Sequence, residues 1–156
     1  MATIKLLTKI KAPIDKCFDV SRDIKVHELS TKYTNEKAVA GKTSGLCEIN
    51  DEITWQATHF GIRQHLTIKI TKLNRPIFFE DVILKGAFNS MRHEHHFIQV
   101  NECTEMTDIF YYEVPFGFLG IWFDKLILEK YMTKFLLTRN QIIKEVSEKT
   151  PAANRT

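Results

Sequence analysis

Residues 104–114 read TEMTDIFYYEV, and residues 118–146 read FLGIWFDKLILEKYMTKFLLTRNQIIKEV. In the first stretch apolar and polar side chains mostly alternate, which is typical of a β-strand with one buried face. In the second stretch apolar side chains recur every three or four residues, as they do along one face of an amphipathic helix. The sequence therefore predicts a strand over 103–114 followed by a long C-terminal helix over about 118–148.

This helix should bury one broad face against the rest of the protein. The residues expected on that face are Leu119, Phe123, Leu126, Ile127, Tyr131, Phe135, Ile142 and Val146. Charged residues, Arg139 among them, fall mostly on the opposite face, where we expect them to be exposed.

The chain before this stretch has mainly the pattern of strands. A first strand is predicted over 3–10, then a short helix over about 13–20 with Pro13 in its first turn, and a second short helix that Ser21 or Asp23 caps. Turn residues then separate further strand patterns at 36–41, 46–57, 60–72, 77–85 and 90–100. Short connections of this kind predict an antiparallel meander.

An antiparallel sheet of this size has to bury its apolar face, and the C-terminal helix is the only predicted element large enough to cover it. We therefore predict an α+β fold. In it a curved seven-stranded antiparallel sheet wraps around the long helix, and two short helices follow the first strand.

Composition restricts the class of protein. The chain has 156 residues, of which 44% are hydrophobic and 26% charged, the balance of one folded globular domain. The net charge of +3 comes from acidic and basic residues that are interspersed, so nucleic acid is not an expected partner. No uncharged stretch reaches the roughly 18 residues that a membrane span needs, so we expect no stable membrane insertion.

The cysteines and the N-terminal residues bear on the compartment. Cys17, Cys47 and Cys103 are far apart and form no CxxC pair, which favours core thiols in a reducing environment over a disulfide framework. Lys5 and Lys9 interrupt the apolar core that a secretory signal would need. We expect a cytoplasmic protein.

This order of elements and five stretches of sequence resemble the START-like SRPBCC superfamily, in particular the bacterial SRPBCC ligand-binding proteins that are also called polyketide cyclase-like. The stretches are HFGIRQHL (59–66), RPIFFEDVILKGAF (75–88), SMRHEHHF (90–97), TEMTDIFYYEVPFGFLG (104–120) and a Leu-rich last helix that carries Arg139-Asn140. The resemblance covers about residues 3–146. It implies a helix-grip fold whose cavity, between sheet and last helix, holds lipids, sterols, polyketides or hormones.

The resemblance implies no reaction, because the superfamily includes carriers and receptors as well as a few cyclases. Residues 1–148 are predicted to form a single START-like ligand-binding domain, and residues 149–156 a flexible tail.

Alternation predicts which side chains face the cavity. In SMRHEHHF it directs His93 and His95 inward, together with Met91 and Phe97, and the outward register holds Arg92, Glu94 and His96. Pairing through the turn at 101–102 should lay His95 and Phe97 near Asp108 and Phe110, and pairing through Gly86 should bring His93 towards Asp81. The candidate ligand-binding residues are Trp55, Leu66, His93, His95, Asp108, Phe110, Tyr112, Phe123 and Ile127.

Three interpretations of His93 and His95 stay open at this point. They can anchor a polar group of a ligand. They can instead form hydrogen bonds with neighbouring side chains in an internal network. They can also bind a metal, if Asp81, Asp108 or His59 supplies a third ligand. We expect no metal and no cofactor.

The sequence carries no GxSxG elbow, no GxGxxG after a strand and no P-loop, so hydrolase, dinucleotide and NTPase functions lack support. We expect a protein that binds a small hydrophobic molecule of lipid, polyketide or aromatic type, rather than an enzyme. The alternatives are a cyclase or dehydratase that uses the His and Asp cluster on a polyketide-like substrate, and an interaction module. A homodimer is compatible with the sequence.

Overall fold

The computed structural model describes residues 1–115, 117 and 123–149. The strands in that part of the chain are β1 (Ala2–Ile10), β2 (Lys37–Gly41), β3 (Glu52–His59), β4 (Ile62–Asn74), β5 (Phe78–Lys85), β6 (Ser90–Val100) and β7 (Cys103–Glu113). The helices are α1 (Ile14–Ser21), α2 (Ile24–Ser30), a 3-10 turn (Lys32–Thr34), a π-helical turn (Asp124–Leu128) and α3 (Glu129–Glu148). Residues 118–122 of the predicted last helix and residues 150–156 of the predicted tail lie outside the described residues.

The seven described strands form one antiparallel sheet in the order β1-β7-β6-β5-β4-β3-β2. Each strand pairs with its neighbour in the chain except β1, which crosses to β7. Helix α3 packs against β1, α1 and α2. The predicted α+β helix-grip fold, with two short helices after the first strand, is confirmed.

Local signals place the two short helices as predicted. The Asp23 carboxylate caps α2, since its Oδ1 accepts hydrogen bonds from the backbone N–H groups of Lys25 at 2.7 Å and Val26 at 3.3 Å. Pro13 stands at the N-cap position of α1, immediately before the helix rather than in its first turn. Proline suits this position because its missing N–H would have no partner inside the helix.

The predicted strand over 46–57 is wrong in its first half, because β3 begins at Glu52. The preceding residues form a turn in which the Asp51 carboxylate accepts a hydrogen bond from the backbone N–H of Glu48 at 2.7 Å. Asn50 in the same turn has a φ of 69°. Asn and Asp stabilise such turns through local hydrogen bonds and tolerate left-handed backbone, which outweighed the strand pattern here.

The predicted buried face of the last helix is wrong at Ile127 and Arg139. Ile127 is 48% exposed, whereas Leu128 is buried, and Arg139 is only 5% exposed. Ile127 lies inside the π-helical turn, which has a longer repeat than an α-helix, whereas Arg139 follows Phe135 by four residues and therefore shares its buried face. The buried residues of α3 are consequently Phe135, Leu136, Arg139, Asn140, Ile143 and Ser147.

The hairpin register is close to the predicted one. His95 pairs with Asp108, and His93 pairs with Asp81, both as predicted. Phe97 pairs with Met106 instead of lying beside Asp108 or Phe110. The register follows from the tight turn between β6 and β7, where Asn101 adopts a φ of 55°.

The buried apolar side chains form two clusters. One lies under the C-terminal half of α3 and contains Ile10, Cys17, Phe18, Phe79, Phe97, Met106 and Ile143. Its aromatic rings meet edge to face, with Phe18 centred 5.5 Å from Phe79 and 5.3 Å from Phe97. The other cluster lies towards the N-terminal half of α3 and includes Trp55, Ile68, Phe110, Leu128 and Phe135.

We expect Gly41→Ala to destabilise the protein more than Gly45→Ala. Both glycines have positive φ, 70° and 79°, so any side chain costs about 1 kcal/mol of backbone strain at either position. At Gly41 a Cβ would also overlap the backbone carbonyl oxygen of Glu52, whereas at Gly45 it meets no described atom within 4 Å. Urea denaturation should give an additional loss of about 1–3 kcal/mol for Gly41→Ala. Equal losses would contradict the overlap.

Candidate ligand-binding site

A cavity of about 750 Å³ lies between the sheet and α3. Its walls are largely apolar and aromatic. The sheet contributes Trp55, Ala57, Leu66, Ile68, Met91 and Phe110, and α3 contributes Tyr131, Met132, Phe135 and Leu136. The volume falls within the range of sites that hold small organic molecules.

The strands present these side chains because successive residues point to opposite faces of a sheet. In β3 the buried residues are Ile53, Trp55 and Ala57, and in β6 they are Met91, His93, His95 and Phe97. The predicted inward register of β6 is confirmed, and the candidate Trp55 lies on the buried face of β3. Strand β5, whose register the sequence left open, directs Phe79 and Asp81 towards the cavity.

Six of the nine candidate residues line the cavity: Trp55, Leu66, His93, His95, Phe110 and Phe123. The other three lie elsewhere. Asp108 is 1% exposed and sits behind the two histidines, Tyr112 is fully buried against Phe88 and Phe110, and Ile127 faces solvent because of the π-helical turn.

Asp108 is the centre of a buried polar network. Its Oδ1 lies 3.1 Å from His93 Nε2, and its Oδ2 accepts a hydrogen bond from Asn140 Nδ2 at 2.6 Å. Arg139 Nη1 lies 3.5 Å from Oδ1 and so adds a positive charge. Since Arg139 and Asn140 belong to α3, this carboxylate connects β7 directly to the helix.

His95 lies between two carboxylates. Its Nε2 is 3.3 Å from Asp81 Oδ2, and its Nδ1 is 2.8 Å from Asp108 Oδ1. The second contact is close enough for an ion pair, but its angles are not those of a hydrogen bond. The ring also stacks on Phe79, with centroids 4.1 Å apart. His95 is thus held in place on both edges and on one face.

The network lowers the pKa values of two of its members, Asp108 and His93. Burial would raise the pKa of Asp108, but the hydrogen bond from His93, the adjacent imidazole of His95 and the charge of Arg139 hold it well below its ordinary value. Burial, followed by repulsion from His95, lowers the pKa of His93 to about 4 against the attraction of Asp108. His93 is therefore neutral at pH 7.

Asp81, His93 and His95 each offer an atom that could ligate a metal, and these atoms lie within 4.8 Å of one another. Two histidines and a carboxylate are a familiar ligand set for transition metals. The same nitrogens already contact carboxylates, with His95 Nε2 directed at Asp81 and His93 Nε2 at Asp108. The described contacts therefore favour the internal network among the three interpretations of these histidines.

A second polar group of the cavity was missed from the sequence. Glu36 is only 6% exposed and its Oε1 lies 3.0 Å from His27 Nε2. His27 in turn stacks on Trp55, with ring centroids 4.1 Å apart. Nothing local marks Glu36, because it lies in the polar run KYTNEK, which is typical of an exposed linker.

His59 and Tyr131 form another polar pair in the cavity wall, with His59 Nδ1 2.7 Å from the Tyr131 hydroxyl. Burial, and then the negative charge of Glu36, raise the pKa of Tyr131. Burial lowers the pKa of His59, and the charge of Glu36 opposes this shift. We call Glu36, His27, His59 and Tyr131 the Glu36 corner.

Comparison by sequence identifies no relative: no family model matches the chain, and no curated protein matches it. Solved structures do resemble it. The protein TTHA0849 from Thermus thermophilus is 16% identical with a TM-score of 0.74, and the match covers 94% of this chain and 99% of that one. A START superfamily protein from Mycobacterium smegmatis is 10% identical with a TM-score of 0.70, over 94% and 97% of the two chains.

The major latex-like protein 151 of ginseng, Panax ginseng, is 14% identical with a TM-score of 0.68, and the match covers 94% of this chain and 97% of that one. At these identities the likeness shows the fold alone. The fold is START-like, of the SRPBCC type, as the sequence predicted.

We expect Asp108→Ala to lower the free energy of unfolding by about 3–5 kcal/mol, because it leaves the buried Arg139 without its counter-charge. Glu105→Ala on the same strand is the matched control. Its ion pair with Lys9 is largely exposed, so its loss should cost less than about 1 kcal/mol. Urea denaturation at pH 7 measures both, and similar values for the two variants would contradict a structural role for Asp108.

His93 should make the protein less stable as the pH falls. Its pKa is about 4 in the folded protein against 6.5 ordinarily, so below pH 6.5 the unfolded chain binds a proton that the folded protein does not. From pH 7 to pH 5 this costs about 2 kcal/mol, at 1.36 kcal/mol per pKa unit. His93→Gln should lose about 2 kcal/mol less than wild type over that interval.

The comparison needs a variant that also replaces a histidine. His96→Gln, on the solvent-facing register of the same strand, is the matched control. Denaturation curves for the three proteins at pH 7 and pH 5 give the differences. If His93→Gln and wild type lose the same stability, His93 does not carry the pH dependence.

Proposed function

We propose that the protein binds a small hydrophobic molecule of lipid, polyketide or aromatic type in the cavity between the sheet and α3. The cavity itself is the observation that carries this proposal. It measures about 750 Å³, and aromatic and aliphatic side chains make up most of its wall. Sites for small organic molecules have this size and this character.

Protein interiors are close-packed, and space left in a core destabilises the fold in proportion to its volume. The cluster under the C-terminal half of α3 is tightly packed, since Phe18, Phe97 and Met106 are at most 1% exposed. A cavity beside such a core is costly unless a ligand fills it. This supports a binding role for the N-terminal half of α3 and the sheet beneath it.

Three large apolar residues of the wall are exposed and mark the mouth of the cavity. Phe60, Ile62 and Phe123 are 50%, 63% and 43% exposed. The Phe60 ring bridges sheet and helix, lying 5.8 Å from Phe123 and 4.6 Å from Tyr131 between centroids. Phe60 has a φ of 52°, which is unusual for an aromatic residue and costs energy. The turn keeps an apolar ring at the entrance despite that strain.

The cyclase-type alternative needs an acid or base directed at a substrate. His93 and His95 do line the cavity, but their Nε2 atoms lie against Asp108 and Asp81. Their described polar contacts are with carboxylates of the neighbouring strands β5 and β7, which supports binding over catalysis.

The place of action that we propose is the cytoplasm. No disulfide joins the three described cysteines, since Cys17, Cys47 and Cys103 are free thiols. Among the described helices, none has the length and apolar character required to cross a bilayer.

Filling the cavity should abolish binding. Ala57 is buried and lines the cavity, so Ala57→Phe places a ring in the space that the ligand would occupy. Thr58→Phe puts the same ring on the solvent face of the same strand and is the matched control. The affinity for the apolar dye N-phenyl-1-naphthylamine is measured by fluorescence titration. It should fall at least about tenfold in Ala57→Phe and remain unchanged in Thr58→Phe. A tenfold loss corresponds to the free energy of one well-buried side-chain contact.

Organic extraction and mass spectrometry of the purified proteins test the same point without a chosen probe. A small molecule should accompany the wild-type protein and Thr58→Phe, and be depleted in Ala57→Phe. Circular dichroism establishes that both variants are folded. Equal dye affinity and equal extracts in folded Ala57→Phe would overturn the proposed function.

A further inference from the structure

One oxygen of the Glu36 carboxylate has no partner among the residues that the structure describes. Oε1 lies 3.0 Å from His27 Nε2, but Oε2 is buried and accepts no hydrogen bond from any described residue. The side chain is 6% exposed, and Glu36 belongs to the wall of the cavity. A buried carboxylate oxygen without a donor is unfavourable, and native proteins rarely keep one without a reason.

The neighbours of Glu36 do not supply a donor. His59 Nδ1 and the Tyr131 hydroxyl lie 2.7 Å apart and engage each other. The negative charge of Glu36 affects the pKa values of both residues, and all three residues line the cavity. Trp55 stacks on His27 and adds an aromatic surface beside the carboxylate.

The two guanidinium groups of the cavity wall are already paired with other groups. Arg22 donates to Asp19 at 2.8 Å, to Glu48 at 2.6 Å and to the Cys47 carbonyl oxygen at 2.9 Å. Arg139 contacts Asp108 and Asn140 and donates to the Ser21 carbonyl oxygen at 3.2 Å. Both guanidinium groups are thus already engaged, and no described contact joins either of them to Glu36.

We propose that the hydrophobic ligand carries a hydrogen-bond donor, an N–H or O–H group, that binds Glu36 Oε2 while its apolar body occupies the cavity. This inference rests on the proposed function and narrows its ligand class. It selects amphipathic molecules that end in an amine or a hydroxyl. A carboxylate-ended molecule is disfavoured, because the like charge of Glu36 repels it and both arginines of the wall are paired.

The two donor types differ in what Glu36 supplies. An ammonium group gains from the negative charge as well as from the hydrogen bond, and from the faces of nearby aromatic rings. A hydroxyl group gains from the hydrogen bond alone. The substitution Glu36→Gln separates them, because it keeps the shape and one acceptor oxygen but removes the charge.

Four probes with one apolar chain and different ends test the inference: decylamine, 1-decanol, decyl methyl ether and decanoate, each below its micelle concentration. Isothermal titration calorimetry at pH 7.5 should show that wild-type protein binds decylamine or 1-decanol, or both, about tenfold more tightly than the ether, as one hydrogen bond to a charged acceptor predicts. Decanoate should bind no better than the ether.

Glu36→Met removes both oxygens and keeps the length of the side chain, so it should abolish the preference, measured within this variant as the affinity for each donor probe relative to that for decyl methyl ether. His27 is partly exposed, so water can reach its Nε2 in this variant. If Glu36→Gln no longer prefers decylamine over the ether but still prefers 1-decanol over it, the contact of Glu36 with the ammonium group is ionic. Thermal unfolding establishes that both variants are folded.

The outcomes separate the two proposals. Three results would overturn the inference and leave a water molecule as the partner of Oε2. They are equal binding of the four probes by wild-type protein, tightest binding of decanoate, and a donor preference that survives in Glu36→Met. The proposed function stands in each of those cases, because the probes still bind. If none of the probes binds wild-type protein and the dye does not bind either, the proposed function fails and the inference fails with it.

Discussion

The contact on which this structure depends is the one between Asp108 on β7 and Arg139 and Asn140 on α3. A carboxylate that is 1% exposed is tolerated only where donors and a counter-charge surround it, and here two histidines, an amide and a guanidinium do so. The contact determines which face of the helix meets the sheet. It also marks a boundary, because tight aromatic packing lies on one side of it and the cavity lies on the other.

The network around Asp108 and the Glu36 corner differ in whether their polar atoms have partners within the protein. In the network of Asp108, His93, His95 and Asp81, each side chain already contacts an oppositely charged or hydrogen-bonding neighbour. In the Glu36 corner, one carboxylate oxygen has no partner among the described residues. His95 Nδ1 makes no hydrogen bond of good geometry, but it lies 2.8 Å from Asp108 Oδ1, so this network has its counter-groups within the protein. An acceptor that faces a cavity without any donor gains from a ligand. The histidines attract attention in the sequence, but the glutamate is the better indication of what the cavity binds.

The prediction succeeded where a local pattern sufficed. Alternation in SMRHEHHF directed His93 and His95 inward, and the tight turn after it put His95 opposite Asp108. The prediction failed at Ile127, which lies in a π-helical turn, because hydrophobic periodicity assumes a constant repeat. It failed at Arg139 because a charged side chain was expected in solvent, although this one follows the buried Phe135 by four residues and faces Asp108. Glu36 was missed for a different reason. Its burial comes from the packing of α2, β3 and α3 around it, and no periodicity in its own segment reflects that packing.

The sequence by itself determined the order of the elements, the sheet that wraps around a helix, and the inward face of β6, since these follow from residue spacing along single segments. Only the tertiary structure decided which polar groups meet. Asp108 contacts Asn140, which lies 32 positions further along the chain, and His59 contacts Tyr131, which lies 72 positions further along. One oxygen of Glu36 has no partner among the described residues. Hydrogen bonds act over about 3 Å, so partners from distant segments are settled only when the elements have packed.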